Sequence, residues 1–418
     1  MTPESFPQGH VVRTLAVAQI FSALGSGSTL ALGSILAVEL SGSEVWAGTV
    51  NTAMTLGTAV TAMPLAGLAV RRGRRWALLT GLAAATVGTL LMVTATVVQA
   101  FAVLLAGAFL VGLAFAANLQ ARFAVTDMAP PQRRGRHLSL VVWAITIGAV
   151  AGPNMVGPGA ALGNHLGIPP QAGPFLISAA GMLIGVCIIG VGLRPDPLLA
   201  RQQLTGHSGT RARGGWAAGA AIVRRRPRAT AAVVSVVAAH CVMVAVMSIT
   251  PLHMEHQVGD AAHHPDTIAL IGFTISLHIA GMYALSPVMG WLVDTVGAQW
   301  TILAGHVTLL ASVALTGFGA HHMGMVTAGL ILLGVGWSAA TIGGSTLLVD
   351  SLTPSQRVPA QGFSDATMSL AGALGSALAG PAMGLMDYPG ISATAAAVVI
   401  VAVIWVGRVG LEPTTKGL

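Results

Sequence analysis

Charge is the scarcest property of this chain: only 8% of its 418 residues are Asp, Glu, Lys or Arg, where a soluble domain carries roughly 25%. With 54% hydrophobic residues and a mean hydropathy of +0.78, that scarcity excludes a soluble globular protein and requires an integral membrane protein. Cysteine is almost absent. Cys187 and Cys241 are the only two, both fall inside apolar stretches, and no extracellular disulfide framework is indicated. Also missing are a phosphate loop, a zinc-protease motif and a nucleophile elbow, so neither ATP-driven transport nor hydrolysis has a basis. No enzymatic activity and no permanently bound cofactor are expected.

What the chain does have is apolar length. Crossing the hydrocarbon core takes about 20 apolar residues, and twelve stretches qualify: 14–38, 45–69, 76–98, 101–122, 138–161, 174–193, 229–252, 267–292, 300–320, 325–348, 362–385 and 391–410. The expected fold class is an all-α membrane protein of twelve transmembrane helices. A net charge of +7 does not call for nucleic acid, because the basic residues follow topology. With the N-terminus inside, Arg71, Arg72, Arg74 and Arg75 follow span 2, and Arg133, Arg134 and Arg136 follow span 4. Arg201, Arg211, Arg213, Arg224, Arg225, Arg226 and Arg228 follow span 6, and no Lys or Arg falls in an outer loop. The outer side receives Glu39, Glu44, Glu255, Asp260, Asp266 and Asp387. The polar start from Met1 to Arg13 has no small-residue cleavage site and leads into a full span, so it reads as retained. Both termini are expected on the cytoplasmic face of a bacterial-type plasma (inner) membrane, with the lipid bilayer as partner.

Residues 194–228, rich in Pro, Gly, Gln, His and Arg, break the hydropathy pattern as a cytoplasmic linker does. They divide a six-helix half at 1–193 from another at 229–418. Signals recur across the divide: Arg71-Arg72-Gly73-Arg74-Arg75 after span 2 corresponds to Gly290-xxx-Asp294-xx-Gly297 after span 8, and Asp127 through Arg133 to Asp350 through Arg357. Gly148, Gly152 and Pro153 in span 5 answer to Gly372, Gly375, Gly380 and Pro381 in span 11. Paired halves suit alternating access, in which one half rocks against the other. On these signatures and the twelve spans the chain resembles the major facilitator superfamily over nearly its whole length. That resemblance implies a monomer, secondary active transport by alternating access, and a charge latch in the inner loops. Two departures weaken the latch. Val70 stands where the family's motif has an acidic residue, and the second copy keeps Asp294 without a trailing Arg pair. The Gly-Pro motif of span 5 resembles one frequent in antiporters; physically it is a kink and close-packing site.

The clue to cargo lies on spans 7 and 8. Met243-xxx-Met247 and His278-xxx-Met282 each put two side chains on one helix face, and thioether with imidazole suits Cu(I) far better than Mg²⁺ or Ca²⁺. His240 falls on the Met243 and Met247 stripe. Antiparallel spans then predict a ladder of weak, neutral ligands, which favours ion movement over storage. Methionine also fills gaps in packed cores, so Met243 and Met247 alone would read as packing. Two intramembrane histidines shift the balance towards a site. These pairs are similar to the signature of the CcoA-like copper importers, a branch of the same superfamily. By that resemblance Met243, Met247, His278 and Met282 would be the copper ligands. Relatives of that branch are thought to carry riboflavin, which keeps an organic substrate open, with His278 then a proton-coupling group or a substrate hydrogen-bond partner. His253, Met254 and His256, beyond span 7, are candidates for outer metal capture. Asn51, Asn118 and Tyr283 are candidate cavity-lining residues, interhelical hydrogen bonding being the other reading of the two Asn. Arg122 reads as a topological anchor; Asp365 reads first as a helix cap, with proton binding or pairing with an Arg as the other readings. Copper import leads; proton-coupled transport of a small organic compound, a drug exported or a vitamin imported, is the alternative, and a copper sensor without flux is the third.

Overall fold

The computed structural model describes residues 6–43, 46, 48–205, 215–258 and 265–411. Regular structure there is helical, with no strand among the described residues. The first repeat contains α1 (Gln8–Ser41), α2 (Thr49–Arg72), α3 (Arg74–Val98), α4 (Phe101–Ala124), α5 (Arg134–Asn154), α6 (Val156–His165) and α7 (Ala172–Gly192). Two short helices follow, α8 (Pro197–Thr205) and α9 (Trp216–Arg224). The second repeat contains α10 (Pro227–Val258), α11 (Pro265–Tyr283), α12 (Ser286–Val296), α13 (Ala298–Phe318), α14 (Met323–Asp350) and α15 (Pro354–Leu411). Because α6 continues α5, α12 continues α11, and α15 is broken at Asp387 (φ 56°, ψ 179°), these helices make twelve crossing segments, as the hydropathy predicts. Among the described residues, ten stretches are long and apolar enough to span a membrane. Exposed apolar side chains such as Val191, Phe318 and Leu385 are what a lipid-facing surface requires.

The repeat is visible in backbone geometry. Gly73 between α2 and α3 (φ 92°, ψ 167°) and Gly297 between α12 and α13 (φ 95°, ψ 154°) hold nearly the same left-handed conformation, one that glycine alone adopts readily. Gly148 faces α1 so closely that a Cβ there would strike the Ile20 carbonyl. Just past Gly152 and Pro153 the helix is interrupted at Met155, as expected where a proline withholds an N–H. The Pro153 side chain lies outside the described residues.

The structure adds to or alters the sequence reading at four places. The linker 194–228 contains α8 and α9: the Asp196 carboxylate accepts the backbone N–H groups of Leu198 (3.0 Å) and Leu199 (3.2 Å) and so caps α8. Span 8 is two helices, because Pro287 cannot bond the Tyr283 carbonyl; the Ser286 hydroxyl donates to it instead at 2.6 Å. Helix α10 runs on to Val258 and takes in His253 and Met254, which therefore sit in a helix and not a loop. Finally, the chain divides into two compact units, one comprising Met1–Ala220 with Pro354–Ser369, the other Ala221–Thr353 with Leu370–Leu418. The opening turns of α15 thus belong to the first unit.

Candidate functional site

Within the second unit, α14 packs extensively against both α10 and α11, which make few contacts with each other. Glycines on α14 permit this: a Cβ at Gly334 would strike the His278 carbonyl, and one at Gly344 the Val236 side chain. The nominated ligands accordingly turn towards α14. His278 is 2% exposed, and its Nδ1 lies 2.8 Å from the Leu330 carbonyl. Since a carbonyl only accepts, Nδ1 carries the proton and Nε2 is an acceptor, buried without a hydrogen-bond partner. His240 has the opposite arrangement, its Nδ1 accepting the Trp337 indole N–H at 3.1 Å. Met243 and Met282 are buried in one apolar cluster with Leu333 and Trp337. Met247 packs elsewhere, against Met254, Val326 and Leu330. The predicted ladder is therefore divided between two packing clusters. Spacing fixes which side chains share a face of one helix; neighbouring helices decide where that face points. Among the described residues, no three His, Cys, Asp or Glu side chains form a metal-holding group.

The outer capture cluster is also rearranged. His253 is buried, its Nε2 2.8 Å from the Ala320 carbonyl and its ring stacked on Tyr388 at 4.0 Å. Met254 is wholly buried. Neither faces outer solution, because the extended α10 turns both into the core; the side chain of His256 lies outside the described residues. Tyr283 is half-buried and meets the Trp337 ring edge-on at 5.8 Å.

In the first unit, Asn118 accepts the Ser22 hydroxyl at 2.9 Å through Oδ1, and its carbonyl accepts the Gln19 amide at 3.3 Å. It joins α1 to α4. Asn51 is exposed near the start of α2. The basic motif divides its labour. Arg71 and Arg72 are exposed, whereas Arg74 is fully buried, donating to Asp127 at 2.8 Å and to Gln361 at 2.5 Å. The Arg75 guanidinium bonds the Gly190 carbonyl and its backbone N–H bonds Asp196. The acidic contacts of the motif thus come from Asp127, which pairs with the Arg74 guanidinium, and from Asp196, which accepts the Arg75 backbone N–H. On the α12 side, Gly290 is buried and Asp294 lies in the last turn.

Arg122, read from sequence as an anchor, and Asp365, read as a cap with pairing to an Arg as an alternative, form an ion pair at 2.5 Å with side-chain exposures of 3% and 0%. Because α15 begins at Pro354, Asp365 lies well inside the helix and cannot cap it. An intramembrane charge that pairs in this way is the usual resolution of its solvation cost. Sequence reasoning also missed Trp337 and Gln361. A tryptophan in mid-span, away from the interfaces where the residue concentrates, was the available signal for the first.

Twelve crossings in two repeats, tied by buried polar pairs, are the build of a secondary transporter. The family model described as Major Facilitator Superfamily matches residues 15–265 and 261–417. The chain is 33% identical over 404 residues to the uncharacterized MFS-type transporter YddS of Bacillus subtilis (strain 168), covering 95% of this chain and 91% of that protein. It is 28% identical over 362 residues, 85% of each chain, to the riboflavin transporter RfnT of Brucella anthropi. In fold it is similar to the crystal structure of the human organic anion transporter MFSD10, with a TM-score of 0.76 over 96% of this chain and all of that one, at 15% identity. The chain belongs to the major facilitator superfamily.

Proposed function

We propose that this chain is a proton-coupled secondary transporter of a small organic solute, monomeric, in a bacterial-type cytoplasmic membrane with both termini inside. The observation that carries this reading is the position of α14 between α10 and α11, with the thioethers of Met243, Met247 and Met282 engaged in apolar packing. Such an arrangement favours a neutral, shape-selected solute over a chain of metal ligands. Kinship with RfnT across 85% of both chains supports an organic cargo and suggests a flavin as the first compound to try.

Copper import is the second reading, supported by one observation: the Nε2 lone pair of His278 is buried and without a partner, with Met282 one turn along the same helix. Imidazole and thioether there could hold Cu(I) as cargo in transit. The two readings separate in proteoliposomes. Riboflavin accumulation driven by a pH gradient, unaffected by a Cu(I) chelator, is expected. Saturable Cu(I) uptake that His278→Ala abolishes, with no flavin movement, would reverse the order of the two.

A further inference from the structure

We propose that the second unit holds a subsite for the planar, uncharged heteroaromatic ring of a solute, walled by His240, Tyr283 and Trp337. The inference rests on the organic-solute reading and adds where the ring binds and what recognises it. Three helices contribute one ring each: His240 on α10, Tyr283 at the end of α11 and Trp337 on α14. Each lies near the middle of its crossing segment, the depth at which transporter sites occur. The Tyr283 and Trp337 rings meet at 5.8 Å and 80°, and those of His240 and Trp337 at 6.1 Å and 46°. Trp337 is the buried backing of the wall; His240 and Tyr283 are half-buried and supply its surface.

The wall is held in place. The Trp337 N–H donates to His240 Nδ1, which leaves the proton of a neutral imidazole on Nε2 and sets the ring plane. On the other side, a Cβ at Gly372 of α15 would lie 2.8 Å from His240 Cδ2 and 2.9 Å from Nε2. Only glycine there lets the imidazole keep its position.

Two further observations point to a ligand. Tyr283 stands at the break between α11 and α12, where the helix stops and resumes at Ser286. Non-helical backbone at membrane depth is tolerated only where protein buries it or where it lines a cavity, and discontinuous spans mark binding sites in transporters. Charge is also sparse along the helices that carry the three rings: residues 229–349 contain no Lys or Arg, and their acidic residues, Glu255, Asp260, Asp266 and Asp294, lie at or beyond the segment ends. Rings without nearby charge recognise a flat, neutral π face by stacking and edge contacts.

The test is direct binding to the purified full-length protein by calorimetry, using riboflavin, lumichrome (the ring without its polyol chain) and ribitol (the polyol alone). Wild type should bind both ring compounds and not ribitol. His240→Ala and Tyr283→Ala should each weaken binding about tenfold, Tyr283→Phe should retain it, and Gly372→Ala should weaken it by displacing the imidazole. Thermal unfolding establishes that each variant is folded; if His240→Ala is not, His240→Gln, which still accepts the indole proton, replaces it. Undiminished flavin binding in folded His240 and Tyr283 variants would overturn the subsite while leaving an organic cargo standing. Failure of wild type to bind either ring compound would overturn the subsite, while the organic reading falls only on the separate finding that Cu(I) is the cargo accumulated by proteoliposomes.

Discussion

Removing Asp365 should cost this protein more stability than almost any single surface change. Its carboxylate meets Arg122 at 2.5 Å with both side chains essentially out of solvent. Arg122 Nε and Asp365 Oδ2 already lack hydrogen-bond partners, so no alternative donor or acceptor takes over when one member is lost. Breaking a buried pair by deleting one side leaves the other charge uncompensated, at about 3–5 kcal/mol, whereas replacing both by apolar groups of similar size is often nearly neutral. Asp365→Ala should therefore lose about 3–5 kcal/mol, and the Arg122→Met, Asp365→Leu double variant should return to within about 1 kcal/mol of wild type. The assay is equilibrium unfolding in mixed micelles followed by circular dichroism, arranged as a double-mutant cycle. Hydrogen exchange should localise the loosening to residues 354–369, which cluster with the first unit, and leave α13 protected. A single variant that loses less than about 1 kcal/mol would mean that water already solvates the pair, and the reasoning would fail.

Backbone predictions follow from three of the glycine positions described above. Gly148→Ala should destabilise by about 1–3 kcal/mol in the same assay, because the new methyl meets the Ile20 carbonyl and, at 2.6 Å, the Leu24 backbone nitrogen of α1, neither of which is a flexible side-chain end. Gly73→Ala and Gly297→Ala both force alanine into a left-handed conformation, at about 1–3 kcal/mol each. Only the first also strikes Asp196, which caps α8 and holds Arg75; a Cβ at Gly297 meets nothing within 4 Å. Thermal melting should rank Gly73→Ala below Gly297→Ala, and equal melting points would remove Asp196 from the account.

Local signals were legible in the sequence and long-range ones were not. Apolar stretches of membrane-crossing length give the twelve segments because in lipid a helix satisfies its own backbone. Gly73 and Gly297 could be matched from sequence, and their shared left-handed geometry is the reason for the recurrence. Helix ends were harder. Nothing in hydropathy carried α10 to Val258, and His253 and Met254 changed from loop residues to core residues as a result. Arg122 and Asp365 are 243 residues apart, so no spacing rule links them. Spacing could place the Met and His pairs only relative to their own helices; their surroundings depend on α14, whose glycines admit α11 closely enough that His278 bonds the Leu330 carbonyl.

The histidines show why counting ionisable residues in the membrane is a weaker guide than following each ring nitrogen. His278 and His306 are both buried, and each places Nδ1 near a backbone carbonyl, Leu330 at 2.8 Å and Ile302 at 2.9 Å. A carbonyl compels the nitrogen beside it to be the donor, so these two share a tautomer and each keeps an Nε2 acceptor without a partner. That atom is what a soft metal or a donor proton would seek. His240 is different, because its Nδ1 faces an indole that can only donate, and the neutral ring must carry its proton on the other side. It therefore presents a donor where His278 presents an acceptor. The two rings thus differ in which nitrogen carries the proton, and one metal ion shared between them would require a lone pair from each, whereas His240 Nδ1 already accepts the indole N–H.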